Sequence, residues 1–140
     1  MTFPNPGPAL NGVPNTSAQM GINGRAFSGV VNATLTGTVD NWIPVDPTGI
    51  TVWIPGYSNA VYITLNGANA TLNGFSSIGY QQGDRIQLWN LDTAATITIN
   101  ALQSTSYKQN QFELNSGAYV TLPPTTGAVM TYSGSYWFFS

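Results

Sequence analysis

From about residue 26 onward, short apolar and β-branched runs alternate with polar residues and are cut repeatedly by turn formers. The alternation is clearest where Val61, Ile63 and Leu65 interleave with Tyr62 and Thr64. It recurs for Ile97 and Ile99 against Thr96 and Thr98, and for Val120 and Leu122 against Tyr119 and Thr121. A period of two puts the two sets on opposite faces of a strand. Residues 27–39, 50–54, 60–65, 85–91, 95–100, 111–114, 118–122, 128–132 and 136–139 all have this strand-like composition. No ten-residue stretch carries a convincing helical period. Asn66-Gly67, Asn73-Gly74, Gly83-Asp84, Ser116-Gly117 and Ser133-Gly134 mark turns between the runs. Pro44, Pro47, Pro55 and Pro123-Pro124 fall in connections, where a missing amide does little harm. The pattern predicts an all-β body, read as an antiparallel β-sandwich, jelly-roll-like, over residues 27–140.

Residues 1–26 follow another rule. Pro4, Pro6, Pro8 and Pro14 are interspersed with Asn and Gly, which favours extended backbone over a packed element. The apolar side chains there stand alone: Phe3, Leu10, Val13, Met20 and Ile22. We read this stretch as an extended N-terminal arm whose isolated apolar residues are pegs for a partner surface. Restricted backbone lowers the entropy lost when such an arm docks.

The last predicted strand, Ser135-Tyr136-Trp137-Phe138-Phe139, is aromatic on both faces. A half-exposed strand alternates, so this one is expected to be covered on both sides. Trp137, Phe138 and Phe139 are therefore candidates for an oligomer interface.

Charge narrows the chemistry. Of 140 residues, three are Lys or Arg and five are Asp or Glu, and there is no His or Cys. Arg25, Arg85 and Lys108 are too few and too scattered to neutralise a run of phosphates, so nucleic acid is not an expected partner. Without His or Cys, Ser–His and Cys–His nucleophiles and structural zinc sites are excluded. Asp40, Asp46, Asp84 and Asp92 lie in connections or at strand ends, where Asp side chains accept bonds from nearby amides. No catalytic residue, metal or cofactor is expected. Met1-Thr2-Phe3-Pro4 has no basic n-region followed by an apolar stretch, and no apolar run approaches 20 residues, so neither signal peptide nor membrane helix is expected. Trp42, Trp53, Trp89 and Trp137 could stack on a glycan, but core or interface packing is the stronger expectation.

The second half has a familiar order. Gly83-Asp84-Arg85-Ile86-Gln87-Leu88-Trp89-Asn90-Leu91 precedes Ala95-Thr96-Ile97-Thr98-Ile99. Asn110-Gln111-Phe112, Gly117-Ala118-Tyr119-Val120-Thr121-Leu122, Val129-Met130-Thr131-Tyr132 and Tyr136-Trp137 follow. This order, over about residues 80–140, resembles small β-domains of tailed-phage virion proteins, among them capsid decoration proteins, head fibres and tail-fibre tips. The resemblance implies trimeric assembly and carries over no catalytic residue. A fibre has a long repetitive shaft ahead of its tip, whereas this sequence has only the short proline-rich arm. The expectation is thus a non-enzymatic decoration (cement) protein on the outer capsid surface, a homotrimer contacting the major capsid protein. The rival expectation is a fibre tip that binds a receptor or carbohydrate.

Overall fold

The computed structural model describes residues 29–115 and 117–139. These form ten strands in two sheets: β1 (Val30–Thr34), β2 (Thr38–Val39), β3 (Ala60–Thr64), β4 (Ala70–Leu72), β5 (Arg85–Asn90), β6 (Ile97–Asn100), β7 (Phe112–Leu114), β8 (Tyr119–Leu122), β9 (Gly127–Tyr132) and β10 (Trp137–Phe139). One sheet has the order β1-β3-β5-β9-β10-β7 and the other β2-β4-β6-β8. The first six strands alternate between the sheets, so the chain winds through three successive coils. Strand β3 runs parallel to β5, and β2, β4 and β6 run parallel to one another. The fold is a β-solenoid with mixed parallel and antiparallel sheets. It is not the antiparallel jelly-roll sandwich that the strand pattern suggested.

The correction has a local cause. Asn66-Gly67 carries the left-handed conformations of a tight turn, with φ of 55° and 79°. Such a pair reads as a hairpin. Here it is a coil corner, because β3 and β4 belong to different sheets. Gly67 N–H donates to Asp92 Oδ2 on the next coil at 2.8 Å, which ties one corner to the next.

Register follows a repeat in the sequence. Thr38-Val39-Asp40-Asn41-Trp42, Thr71-Leu72-Asn73-Gly74-Phe75 and Thr98-Ile99-Asn100-Ala101-Leu102 share the order Thr, aliphatic, Asx, any residue, large apolar. Thr38 lies beside Thr71, Thr71 beside Thr98, and Thr98 beside Thr121, forming one threonine row across the four-stranded sheet. Leu72 and Ile99 share the next, inward position. The bridge between Trp42 and Phe75 continues the same register beyond β2.

The first three coils end in an antiparallel cap. Strand β8 pairs with β6 and β9 with β5, both antiparallel, and β10 returns antiparallel to β9. Strand β7 completes the sheet parallel to β10. The Ser133-Gly134 turn between β9 and β10 is a true hairpin, held by Ser133 Oγ accepting from the amides of Ser135 and Tyr136.

The core lies between the sheets. Val61, Ile63, Leu72, Ile86, Leu88, Ile97, Ile99 and Met130 are essentially inaccessible. Each such side chain contributes roughly 1.5–3 kcal/mol of burial. At one end of the core, Phe75 is met edge-on by Trp53, Trp42 and Trp137, with ring centroids 5.1, 5.7 and 5.9 Å away. The Trp137 indole N–H also donates to the Phe75 carbonyl at 2.9 Å, joining the cap to the second coil. Asn90, in register with Ile63, places a polar side chain at a core position and is fully buried. Its Nδ2 donates to the carbonyls of Ala95, Leu122 and Pro123 at 2.9–3.2 Å, and its Oδ1 accepts from the Asp92 amide.

Removing either anchor should show in denaturant unfolding. Phe75→Ala should lower the unfolding free energy by about 3–5 kcal/mol. Asn90→Leu should lower it by about 1–3 kcal/mol despite adding apolar surface, because buried carbonyls lose their donor. The exposed Ile50→Ala should stay within about 0.5 kcal/mol of the parent. A neutral Asn90→Leu would contradict the role given to that side chain.

Candidate interaction surfaces

The predicted arm contacts Phe3, Leu10, Val13, Met20 and Ile22 lie outside the described residues. The three predicted interface residues separate by face. Trp137 and Phe139 are buried in their own core, with Phe139 packed edge-on against Phe112 at 5.3 Å. Phe138 points outward and is 39% exposed. Strand β10 lies between β9 and β7, so its backbone edges are both paired within the chain. A second subunit could reach this strand only through the outward face, at Phe138.

Three of the four tryptophans, Trp42, Trp53 and Trp137, belong to the core. Trp89 is the exception. It is half-buried on the outward face of β5, in register with Tyr62 on one side and Gly127 on the other. A Cβ built on Gly127 would stand 2.7 Å from the Trp89 ring, so the indole lies directly over this glycine.

The aspartates are absorbed by the scaffold. Asp40 Oδ1 accepts from Asn73 Nδ2 at 2.9 Å and Thr105 Oγ1 at 2.8 Å, and Asn73 Oδ1 accepts from Asn100 Nδ2 at 3.0 Å. These three residues follow the aligned threonines by two positions, so they form a polar ladder with one rung per coil. Beside it, Asn41 Oδ1 accepts from the Tyr107 amide and from Asn110 Nδ2, while Asn110 Oδ1 accepts from the amide and hydroxyl of Ser77. Gly74 must lack a side chain there, since a Cβ would lie 2.3 Å from Ser106 Oγ. Asp84 Oδ2 accepts from the Gln81 amide. Among the described residues no three His, Cys, Asp or Glu side chains come together as a metal site. Among the described residues no helix is long and apolar enough to cross a membrane.

Four exposed isoleucines lie in the two long connections that touch each other. Ile43, Ile50 and Ile54 belong to the connection from β2 to β3, and Ile78 to the connection from β4 to β5. They are 39%, 65%, 56% and 64% exposed. The two connections touch through backbone at Gly56 and Gly79, where a Cβ on Gly56 would lie 2.8 Å from the Gly79 carbonyl oxygen. Ile54 and Ile78 therefore flank a common contact. Ile43 lines a cleft of about 390 Å³ with Leu35, Val39, Trp42 and Val45. Burial pushes the Tyr80 hydroxyl pKa up to about 12, and that hydroxyl donates to the Ser58 carbonyl. The sequence carried no period to announce this patch, because its members come from irregular connections.

Two aspartates make acid stability readable. The bond from the Thr48 hydroxyl, with the Ile50 amide, holds Asp46 below its ordinary pKa. The amides of Gly67, Ala94 and Ala95 do the same for Asp92. A carboxylate with a depressed folded pKa stabilises above its unfolded pKa of about 3.9, and that contribution is lost as pH falls through the folded value. The melting temperature should therefore fall from about pH 4 downward. Asp92→Asn should lower it at neutral pH and flatten the acid decline, as followed by circular dichroism across pH 2–7. An unchanged acid slope in that variant would remove Asp92 from the account.

Comparison of this chain with family models, with curated proteins and with solved structures finds no match in any of the three.

Proposed function

We propose that this is a non-enzymatic structural protein of a tailed-phage particle. In this reading it is a decoration protein on the outer head surface, trimeric, with its N-terminal arm laid over the major capsid protein. The observation that supports this most is the set of isoleucines on the two touching connections. Four large aliphatic side chains stand exposed at Ile43, Ile50, Ile54 and Ile78 in a chain with very few charges. Large apolar side chains left exposed on two touching connections mark a candidate interaction site. The hydrogen-bonded coils give it a stiff backing, which suits a part that works mechanically by adding buried contact between shell subunits. A specific contact of this kind buries on the order of 1,200 Å² or more.

The reading is tested on purified particles. Hundreds of copies per particle are expected, and they should remain bound in about 1 M salt, because screening weakens charge contacts and leaves apolar ones. Ile54→Lys with Ile78→Lys should lower occupancy several-fold without shifting the melting temperature of the free protein. Deleting residues 1–24 should also lower occupancy. A few tens of copies confined to the tail would instead make this a fibre-tip protein that engages a receptor or carbohydrate. Salt-labile binding would show that the isoleucines are not the contact.

A further inference from the structure

The outward face of the six-stranded sheet carries a row of side chains with opposite charges at its two ends. Arg85 on β5 lies beside Thr131 on β9, Thr131 beside Phe138 on β10, and Phe138 beside Glu113 on β7. Residues in register share a face, and Phe138 is exposed on the outer one, so all four belong to the outer face. Arg85 and Glu113 stand at opposite ends of the row, three strand spacings or roughly 14 Å apart. At that distance they are screened from each other in physiological salt. Neither side chain has an ion pair or hydrogen bond among the described residues. The positions between them are uncharged, and the neighbouring row adds Gln87 and the exposed Val129.

We propose that this face, across β5, β9, β10 and β7, is the contact between copies of the chain, with Arg85 of one copy against Glu113 of the next. The proposal rests on the multimeric reading given above and names its surface. Turning a second copy about an axis parallel to the strands, midway between β9 and β10, lays each Arg85 over a Glu113 and each Phe138 over a Thr131. A closed ring makes the same Arg85–Glu113 contact once per neighbour. Turning the copy about an axis across the strands stacks like charges instead, so the two end charges select the orientation. Phe138 and Val129 supply the apolar centre and the charges supply the rim, the usual division of labour at interfaces.

The full chain should sediment as a single multimeric species at micromolar concentration. Arg85→Glu and Glu113→Arg should each raise the dissociation constant on the order of 10-fold or more, and the double exchange Arg85→Glu with Glu113→Arg should largely restore it. Phe138→Ser should weaken association independently of charge. Circular dichroism of each variant confirms that the solenoid is intact, and the double exchange itself controls for damage by either single change. A monomeric parent chain overturns the proposal, whatever else the face binds. So does a multimer indifferent to the single reversals, or a double exchange no better than the singles. If the reversals leave association unchanged and the protein still decorates particles, this interface fails while the virion reading stands. If the protein is absent from particles yet the exchange rescues association, the interface stands and the virion reading fails.

Discussion

Parallel strand pairing is the constraint on which the rest of the structure depends. Two parallel neighbours cannot be joined by a two-residue turn, so the chain must leave the sheet and travel before it can return. In this protein the excursion is itself a strand of the opposite sheet, and each circuit adds one rung to both sheets. The Thr–aliphatic–Asx repeat supplies what each circuit needs: an outward threonine, an inward aliphatic residue and an amide or carboxylate to bond the rung above. The Asp40–Asn73–Asn100 ladder and the Asp92 link to Gly67 are the same device at two corners. They convert an alignment of backbones into a fixed register, because slipping one residue would expose the aliphatic set and bury the threonines.

The cap solves a different problem. A stack of parallel coils leaves an open edge at each end, with unpaired amides and carbonyls. Strands β8 and β9 reverse direction and cover the third coil in both sheets, and β10 inserts its aromatic residues beneath the second. Phe75 is where the two systems meet. Its ring receives one tryptophan from the first coil, one from the connection that follows it and one from the cap, and its carbonyl receives the Trp137 N–H. The interior is therefore organised around aromatic contacts at one end and stacked aliphatic rows along its length.

Much of this was legible in the sequence, and the reason for the remainder is specific. Alternation at 61–65, 97–99 and 119–122 located strands, because side-chain direction is fixed by the backbone alone. Direction of pairing was not legible. Asn66-Gly67 and Ser133-Gly134 look equivalent as turn signals, yet one is a coil corner and the other a hairpin. The Thr–aliphatic–Asx repeat could have separated them. Its copies are offset by unequal amounts, with Thr38 beside Thr71 but Ala70 beside Ile97, which hides the period. The tryptophans divided between core and surface for a similarly local reason: Gly127 leaves a flat seat on the outside for Trp89, and no property of the tryptophan itself marks it as different. The isoleucine patch and the charged row depend on irregular connections and on pairing order, which strand periodicity does not encode.

The bond between Trp137 and Phe75 also sets a timetable for the newborn chain. The ribosome releases the first two coils while the aromatic residues that complete their interior are still being added. Until residue 137 has cleared the exit tunnel, Phe75 lacks both a ring neighbour and the donor to its carbonyl. The early coils must therefore wait as a partly formed sheet with bare edges until Trp137 has emerged and can close over Phe75. A nascent chain held in that state is at its most vulnerable to pairing with another copy, and its sparse charge offers little to keep the two apart.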